Sequence, residues 1–443
     1  ADGVSRESWL MAESSDPPPT PLLLRWQGCL SPGASVLIRM EQLSGAVLML
    51  LLAGLPFVSR SGLGLEIAAS GLLWLLWSLC SPPGRIGPIS MWLLVILAVA
   101  CVSTGWSPVP VAAVKGLLKL LSYLGVYALL CRLLNTSPRW WNRLLAALLS
   151  GGLLSSVLAL RQLYASTEEL ARWADPESMS TGTIRIYGPL GNPNLLAGYL
   201  LPLIPLAVIA LLRWQGMGQK IFAGVTGVLS AAAVVFTYSR GGWLGLLAAL
   251  AVLVLLLLLR GTAHWPPLWR RLVPLGVLFL GGLLVVIAAT QLEPIRTRVV
   301  SLVAGRGDSS NNFRINVWLA ALEMVQDRPW IGIGPGNTAF NSIYPLYQQP
   351  KFNALSAYSV PLELLVEMGI PGLLACCGLM VSSIRSGLSL DGRSGLIAIG
   401  SLAAMTGLLT QGITDTIFFR PEVQLVGWFC LASLASRVER HSC

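Results

Sequence analysis

Residues 291–357 read QLEPIRTRVVSLVAGRGDSSNNFRINVWLAALEMVQDRPWIGIGPGNTAFNSIYPLYQQPKFNALSA. This is the longest polar interruption in a chain of 443 residues that is 54% hydrophobic and 11% charged. Soluble domains carry about 25% charged residues. A chain this apolar would expose too much hydrocarbon surface in water. The composition therefore implies an all-α polytopic membrane protein, in which long polar segments are the places for chemistry or recognition.

Working outward from that stretch, twelve apolar runs of membrane-spanning length are expected. They fall at 43–59, 64–80, 89–105, 110–131, 142–163, 190–212, 219–238, 242–259, 272–290, 358–384, 394–414 and 421–437. The expected organisation is an N-terminal cytoplasmic segment (1–42, partly disordered), nine spans (43–290), a large extracytoplasmic loop (291–357), three spans (358–437) and a cytoplasmic tail (438–443). Residues 1–20 are polar and Pro-rich, and no signal peptide is expected there. Neither a broken-helix pair nor an inverted repeat, as many transporters use, is evident.

Charge sets the expected orientation. Arg39, Arg85, Arg132, Arg139, Arg143, Arg213, Lys220, Arg260, Arg270, Arg271 and Arg385 fall on one side of this topology, against Arg60, Arg240 and Arg420 in the short loops of the other. Positive loops stay inside, so both termini are expected in the cytoplasm of an inner (plasma) membrane protein. The same asymmetry accounts for much of the net charge of +10 and argues against a nucleic-acid partner. The eight cysteines include no CxxC pair, and there are only two histidines, His264 and His441. No metal site and no cofactor are expected.

Within the loop, Asn311 or Asn312 is expected to cap a helix from about Phe313. Val317, Trp318, Ala321 and Met324 share one face, suited to the membrane surface or to packing on the spans. Arg328-Pro329 should end the helix. The IGIGPGN run with Gly332, Gly334 and Gly336 departs from the dinucleotide fingerprint, and reads as a tight turn or a nest of backbone N–H groups.

Three constellations suggest an outward anion site. RIYGPLGNPN (185–194) carries Arg185, Tyr187 and Asn192, the last a helix cap. YSRGGW (238–243) carries Arg240, which either snorkels to the surface or turns inward. Arg314 lies in the loop helix. Arginine recognises phosphate and carboxylate through its planar fork. The alternative is three unrelated surface arginines paired to local acids such as Asp308 and Glu323. Among the acids, Glu363 and Glu367 lie four apart on one helical face, and Asp415 lies close to Arg420. Glu367 and Asp415 suit either ion coupling or structural pairing with arginine.

The pieces YSRGGW, RINVWLAALEMVQDRPWIGIGPGN and LELLVEMGIPGLL resemble the O-antigen ligase/polymerase superfamily. RWQGCL, GPLGNPNLLAGYLLPLIPLA, LSAYSVPLELLVEMG and ITDTIFFRPEVQ look most like its cyanobacterial branch named IctB, described as inorganic-carbon (bicarbonate) transporters. The resemblance runs from about Trp26 onward. It implies about twelve spans, a large outer loop and contact with membrane lipids. It implies one of two substrates, a small anion (bicarbonate) or a polyprenyl-diphosphate saccharide. Ligases of this kind carry a histidine where this chain has Tyr358. A transferase would then need another base, with Glu363 and Tyr358 as the candidates.

Overall fold

The computed structural model describes residues 34–164, 185–291, 296, 305–389 and 392–436. These residues form helices joined by turns and short 3₁₀ segments. Among the described residues eleven helices are long and apolar enough to cross a membrane, and Pro421–Ala435 is a shorter apolar helix. The chain is a multi-pass membrane protein.

In chain order the helices are α1 (Ala34–Gly54), α2 (Arg60–Cys80), α3 (Pro88–Gly105), α4 (Pro110–Leu134), α5 (Arg139–Arg161), α6 (Pro193–Leu200) and α7 (Leu203–Arg213). Then come α8 (Met217–Phe236), α9 (Arg240–Gly261), α10 (Pro267–Gln291), α11 (Ser309–Asp327), α12 (Asn337–Ile343), α13 (Val360–Leu388), α14 (Gly392–Gly412) and α15 (Pro421–Ala435). Proline lies in the first turn of α3, α4, α6, α10, α13 and α15, where its fixed φ suits the helix and its missing N–H costs nothing. The first helix begins at Ala34, ahead of the apolar run at 43, and carries Arg39 and Glu41 in its polar end.

The centre of the bundle is the α6–α7 span. In it 83% of the apolar window is buried, against 6% for the peripheral α10. Side chains such as Leu65 and Phe279 are almost three-quarters exposed, as lipid-facing positions should be. A second core lies under the loop. Val317, Ala320, Ala321 and Met324 of α11 pack with Phe340, Tyr344 and Val366. So α11 docks on the protein and α13, rather than lying flat on lipid.

Three expectations change. The loop helix starts at Ser309, and its cap is Asp308, whose side chain accepts the Asn311 N–H. Asn311 and Asn312 lie inside the first turn. One span is interrupted: α13 breaks at Gly369 (φ 65°, ψ −168°), whereas α6 and α7 run on as one span through Leu201 and Pro202, both in the helical region. Finally, the glycine run is neither a simple turn nor an open nest. Ile333 and Gly334 donate their N–H groups to the Val366 and Glu367 carbonyls at 2.9 and 3.0 Å. A Cβ on Gly332 would sit 2.5 Å from the Glu367 backbone, and one on Gly116 would sit 1.8 Å from the Pro335 oxygen. The run is threaded between α4 and the break in α13, where only glycine fits.

Candidate functional site

The site is built where several helices begin at one end of the bundle. Arg240 opens α9. Ser239 caps that helix through its hydroxyl, and Tyr238 before it takes the left-handed conformation (φ 48°). That geometry turns Arg240 toward the loop. Its Nη2 donates to Asp308 Oδ1 at 3.1 Å, with only 10% of the arginine side chain and 1% of the aspartate exposed. Arg240 therefore turns inward and pairs with Asp308, the local acid named as its alternative partner.

Arg314 stands one turn into α11. Its Nη1 donates to Ser310 Oγ at 2.9 Å, while its enclosed Nε meets no hydrogen-bond acceptor. Its positive charge acts on Tyr358 and Asp415.

Arg185 reaches the same region by a relay. Its Nε donates to the Thr237 carbonyl and its Nη2 to Asn194 Oδ1, both at 2.9 Å. Asn194 Nδ2 donates to Asp415 Oδ2, also at 2.9 Å. Gln411 Nε2 donates to the Asn194 carbonyl at 3.1 Å, so both ends of that asparagine are held. Asn192 caps α6, accepting the Asn194 and Leu195 N–H groups. Tyr187 is fixed through its backbone, which donates to Gln162 Oε1 at 3.0 Å. Thus Arg314 stands by Asp415 and Tyr358, Arg185 is tied to Asp415 through Asn194, and Arg240 stands by Arg314.

Asp415 lies outside the spans and is 7% exposed. Burial raises its pKa. The Arg314 charge, the Thr416 N–H and the Asn194 amide oppose that rise without cancelling it. Tyr358 holds φ 49° and packs edge-on against Phe313, with ring centres 5.5 Å apart. Burial, then the negative charge of Asp415, pushes its phenol up from its ordinary value, against the pull of Arg314. It therefore stays protonated at neutral pH.

Glu363 and Glu367 are both buried on α13. Glu363 Oε2 accepts the Ala357 N–H at 2.5 Å, tying the loop to the helix. Glu367 receives the Gly336 N–H. The cation nearest in effect to both is Lys119 of α4, whose Nζ donates to the Phe419 carbonyl at 3.1 Å and lies over the Tyr123 ring. The expected arginine partner of Glu367 is thus replaced by a lysine and a backbone amide.

Sequence reasoning passed over Lys119, Asn194 and Gln411, and gave Asp308 only as a local acid. Lys119 carried a signal, since a lysine nine residues into an apolar span is costly unless it serves a partner. Asp308 carried a capping signal by residue type but none for its ion pair, and Asn194 and Gln411 carried none for the contacts at Asp415 and the Asn194 carbonyl, which span more than 200 residues. Among the described residues no cluster of three His, Cys, Asp or Glu side chains is arranged to hold a metal.

Chemically, the arrangement offers guanidinium donors to an anion beside a buried carboxylate of raised pKa. Compared with curated proteins, the chain has no match. Residues 225–377, which supply Arg240, Asp308, Arg314, Tyr358, Glu363 and Glu367, match the family model described as O-antigen ligase, so this part of the chain is similar to that family.

Proposed function

We propose that the protein is a membrane glycan ligase or polymerase. In this reading it takes a saccharide from a polyprenyl-diphosphate carrier on the extracytoplasmic side of the inner membrane, with both termini in the cytoplasm. The observation that carries this is the convergence of three separate segments: Arg314 acts on Asp415 by its charge, Arg185 reaches Asp415 through Asn194, and Arg240 lies beside Arg314 on Asp308. The family match over residues 225–377 supports the same reading.

The reaction follows from these groups. The acceptor hydroxyl oxygen attacks the anomeric carbon of the donor sugar. The bond from that carbon to the diphosphate oxygen breaks, and polyprenyl diphosphate leaves with the electron pair. Arg314 and Arg240 stabilise the charge that builds on the leaving diphosphate. The hydroxyl proton passes to a carboxylate. Asp415 suits this better than the two bases first expected, because a raised pKa brings a carboxylate nearer its working pH. Tyr358, kept protonated, acts as a donor, and Glu363 has one oxygen committed to Ala357.

The inorganic-carbon reading draws no support from the comparisons. An interrupted helix in a transporter lines a substrate cavity. Here the break at Gly369 is occupied by the protein's own loop, with the Ile370 N–H bonded to the Pro329 carbonyl at 2.8 Å. The test is a clean deletion complemented with Arg314→Ala. Loss of a surface glycan in both, restored by the unaltered chain, is expected. An unchanged glycan profile, with labelled bicarbonate taken up by reconstituted protein under a Na⁺ or H⁺ gradient, would overturn the proposal in favour of transport.

A further inference from the structure

At the opposite end of the bundle, α3 begins while α13 and α15 end. Between them lies a cavity of about 610 Å³. Its length-wise separation from Glu363 is most of α13, or ~35 Å at 1.5 Å per residue. It is thus a separate place from the arginine site.

Four features define its chemistry. Arg385 lines the cavity from the last turn of α13 with an exposed side chain. Ser382, one turn earlier, also lines it, is 8% exposed, and its hydroxyl has no hydrogen-bond partner. The third side is the start of α3 at Gly87 and Pro88, where no side chain caps the helix and its positive end is left toward the cavity. The fourth is an apolar wall of Ile89, Trp92, Val381 and Leu434, with Ser386 and Ser389 beside Arg385. Val381 is also 48% exposed on the lipid-facing side of α13.

We infer that this cavity binds the phosphodiester headgroup of an anionic phospholipid, with the first carbons of an acyl chain along Val381 and Trp92. A guanidinium, a hydroxyl lacking a partner and a helix N-terminus all favour a phosphate oxygen. No Asp or Glu lines the cavity among the described residues, so nothing there complements the ammonium of a zwitterionic lipid. Its position at the ends of three helices matches the depth of a headgroup, and the apolar wall continues onto the lipid-facing surface.

The test uses the full chain in mild detergent, incubated with phosphatidylglycerol or phosphatidylcholine in mixed micelles. Retained lipid is counted by native mass spectrometry, and melting is followed in parallel. Phosphatidylglycerol should be retained over phosphatidylcholine by about tenfold. Arg385→Gln should abolish that preference and Ser382→Ala should reduce it, with melting in phosphatidylcholine unchanged. Ser386→Phe, which fills the cavity, should lower retention of phosphatidylglycerol even if Arg385→Gln folds poorly. Equal retention of the two lipids, or a preference that survives both Arg385→Gln and Ser386→Phe, would overturn the inference. So would sodium phosphate giving the same thermal shift and displacing phosphatidylglycerol, which would assign the site to free phosphate.

Discussion

One carboxylate oxygen of Asp308 accepts both the Asn311 backbone N–H at 3.0 Å and Arg240 Nη2 at 3.1 Å. The residue that starts the loop helix is therefore also the one that seats the span arginine. Loop position and the direction of Arg240 are set by the same atom.

Replacing that residue separates its two roles. Asp308→Asn keeps a capping oxygen but loses the charge. Asp308→Ala loses both, adding about 1 kcal/mol for the missing cap to the cost of an arginine left enclosed without its anion, on the order of 3–5 kcal/mol for a buried pair. Thermal melts in detergent should rank unaltered chain, Asn and Ala in descending order. An Ala variant as stable as Asn would show that the cap contributes little.

Arg314 should be intolerant of lysine. Its planar fork is fixed by Ser310, and a point charge on a flexible stem does not reproduce that geometry. Arg314→Lys is expected to lower glycan transfer about tenfold or more, in the range of a lost charge-assisted hydrogen bond, with expression and melting unchanged. Transfer assays on membranes, normalised to protein level, check this.

Asp415 gives a pH dependence whose sign can be stated. Its folded pKa is raised, so its contribution to stability is present below the unfolded pKa and is lost as pH rises through the folded value. Catalysis runs the other way, because the base must be ionised. Transfer should rise with pH through an acid limb displaced above the ordinary Asp range. Asp415→Asn should remove both that limb and most of the activity. A variant that keeps the limb would assign it to another group. Tyr358→Phe, by contrast, should leave the limb in place, since the Tyr358 phenol is held protonated.

The glycine thread should be the most fragile part of the loop. At Gly369, with φ 65°, an added Cβ would lie 2.6 Å from the Trp330 backbone and 2.7 Å from the Pro329 oxygen. Gly369→Ala is expected to cost at least 1–3 kcal/mol from the backbone conformation alone, and to undock residues 329–336 from α13. Limited proteolysis near Trp330 should then speed up, while the span cores stay intact.

Much of the fold was legible because membrane insertion depends on local composition. Each span needs only its own run of apolar residues, and the start of α4 at Pro110 and the end of α11 at Asp327, two residues before Pro329, fall where proline chemistry places them. The start of α11 was misplaced by a few residues because asparagine and aspartate are equally good caps by type. Only the direction of the Asp308 side chain decides between them.

The amino-acid sequence by itself determined the membrane class, nearly all the spans and the presence of arginines in three segments between or beside them. The tertiary structure decided what those arginines do. Arg240 meets Asp308 across 68 residues, Asn194 meets Asp415 across 221, and Ser107 donates to the Ile333 carbonyl across 226. No local period encodes such pairs, because they depend on which helix ends the packed core brings together. Lys119 is the clearest case: an isolated charge in an apolar run has meaning only once Glu363, Glu367 and the Phe419 carbonyl stand around it.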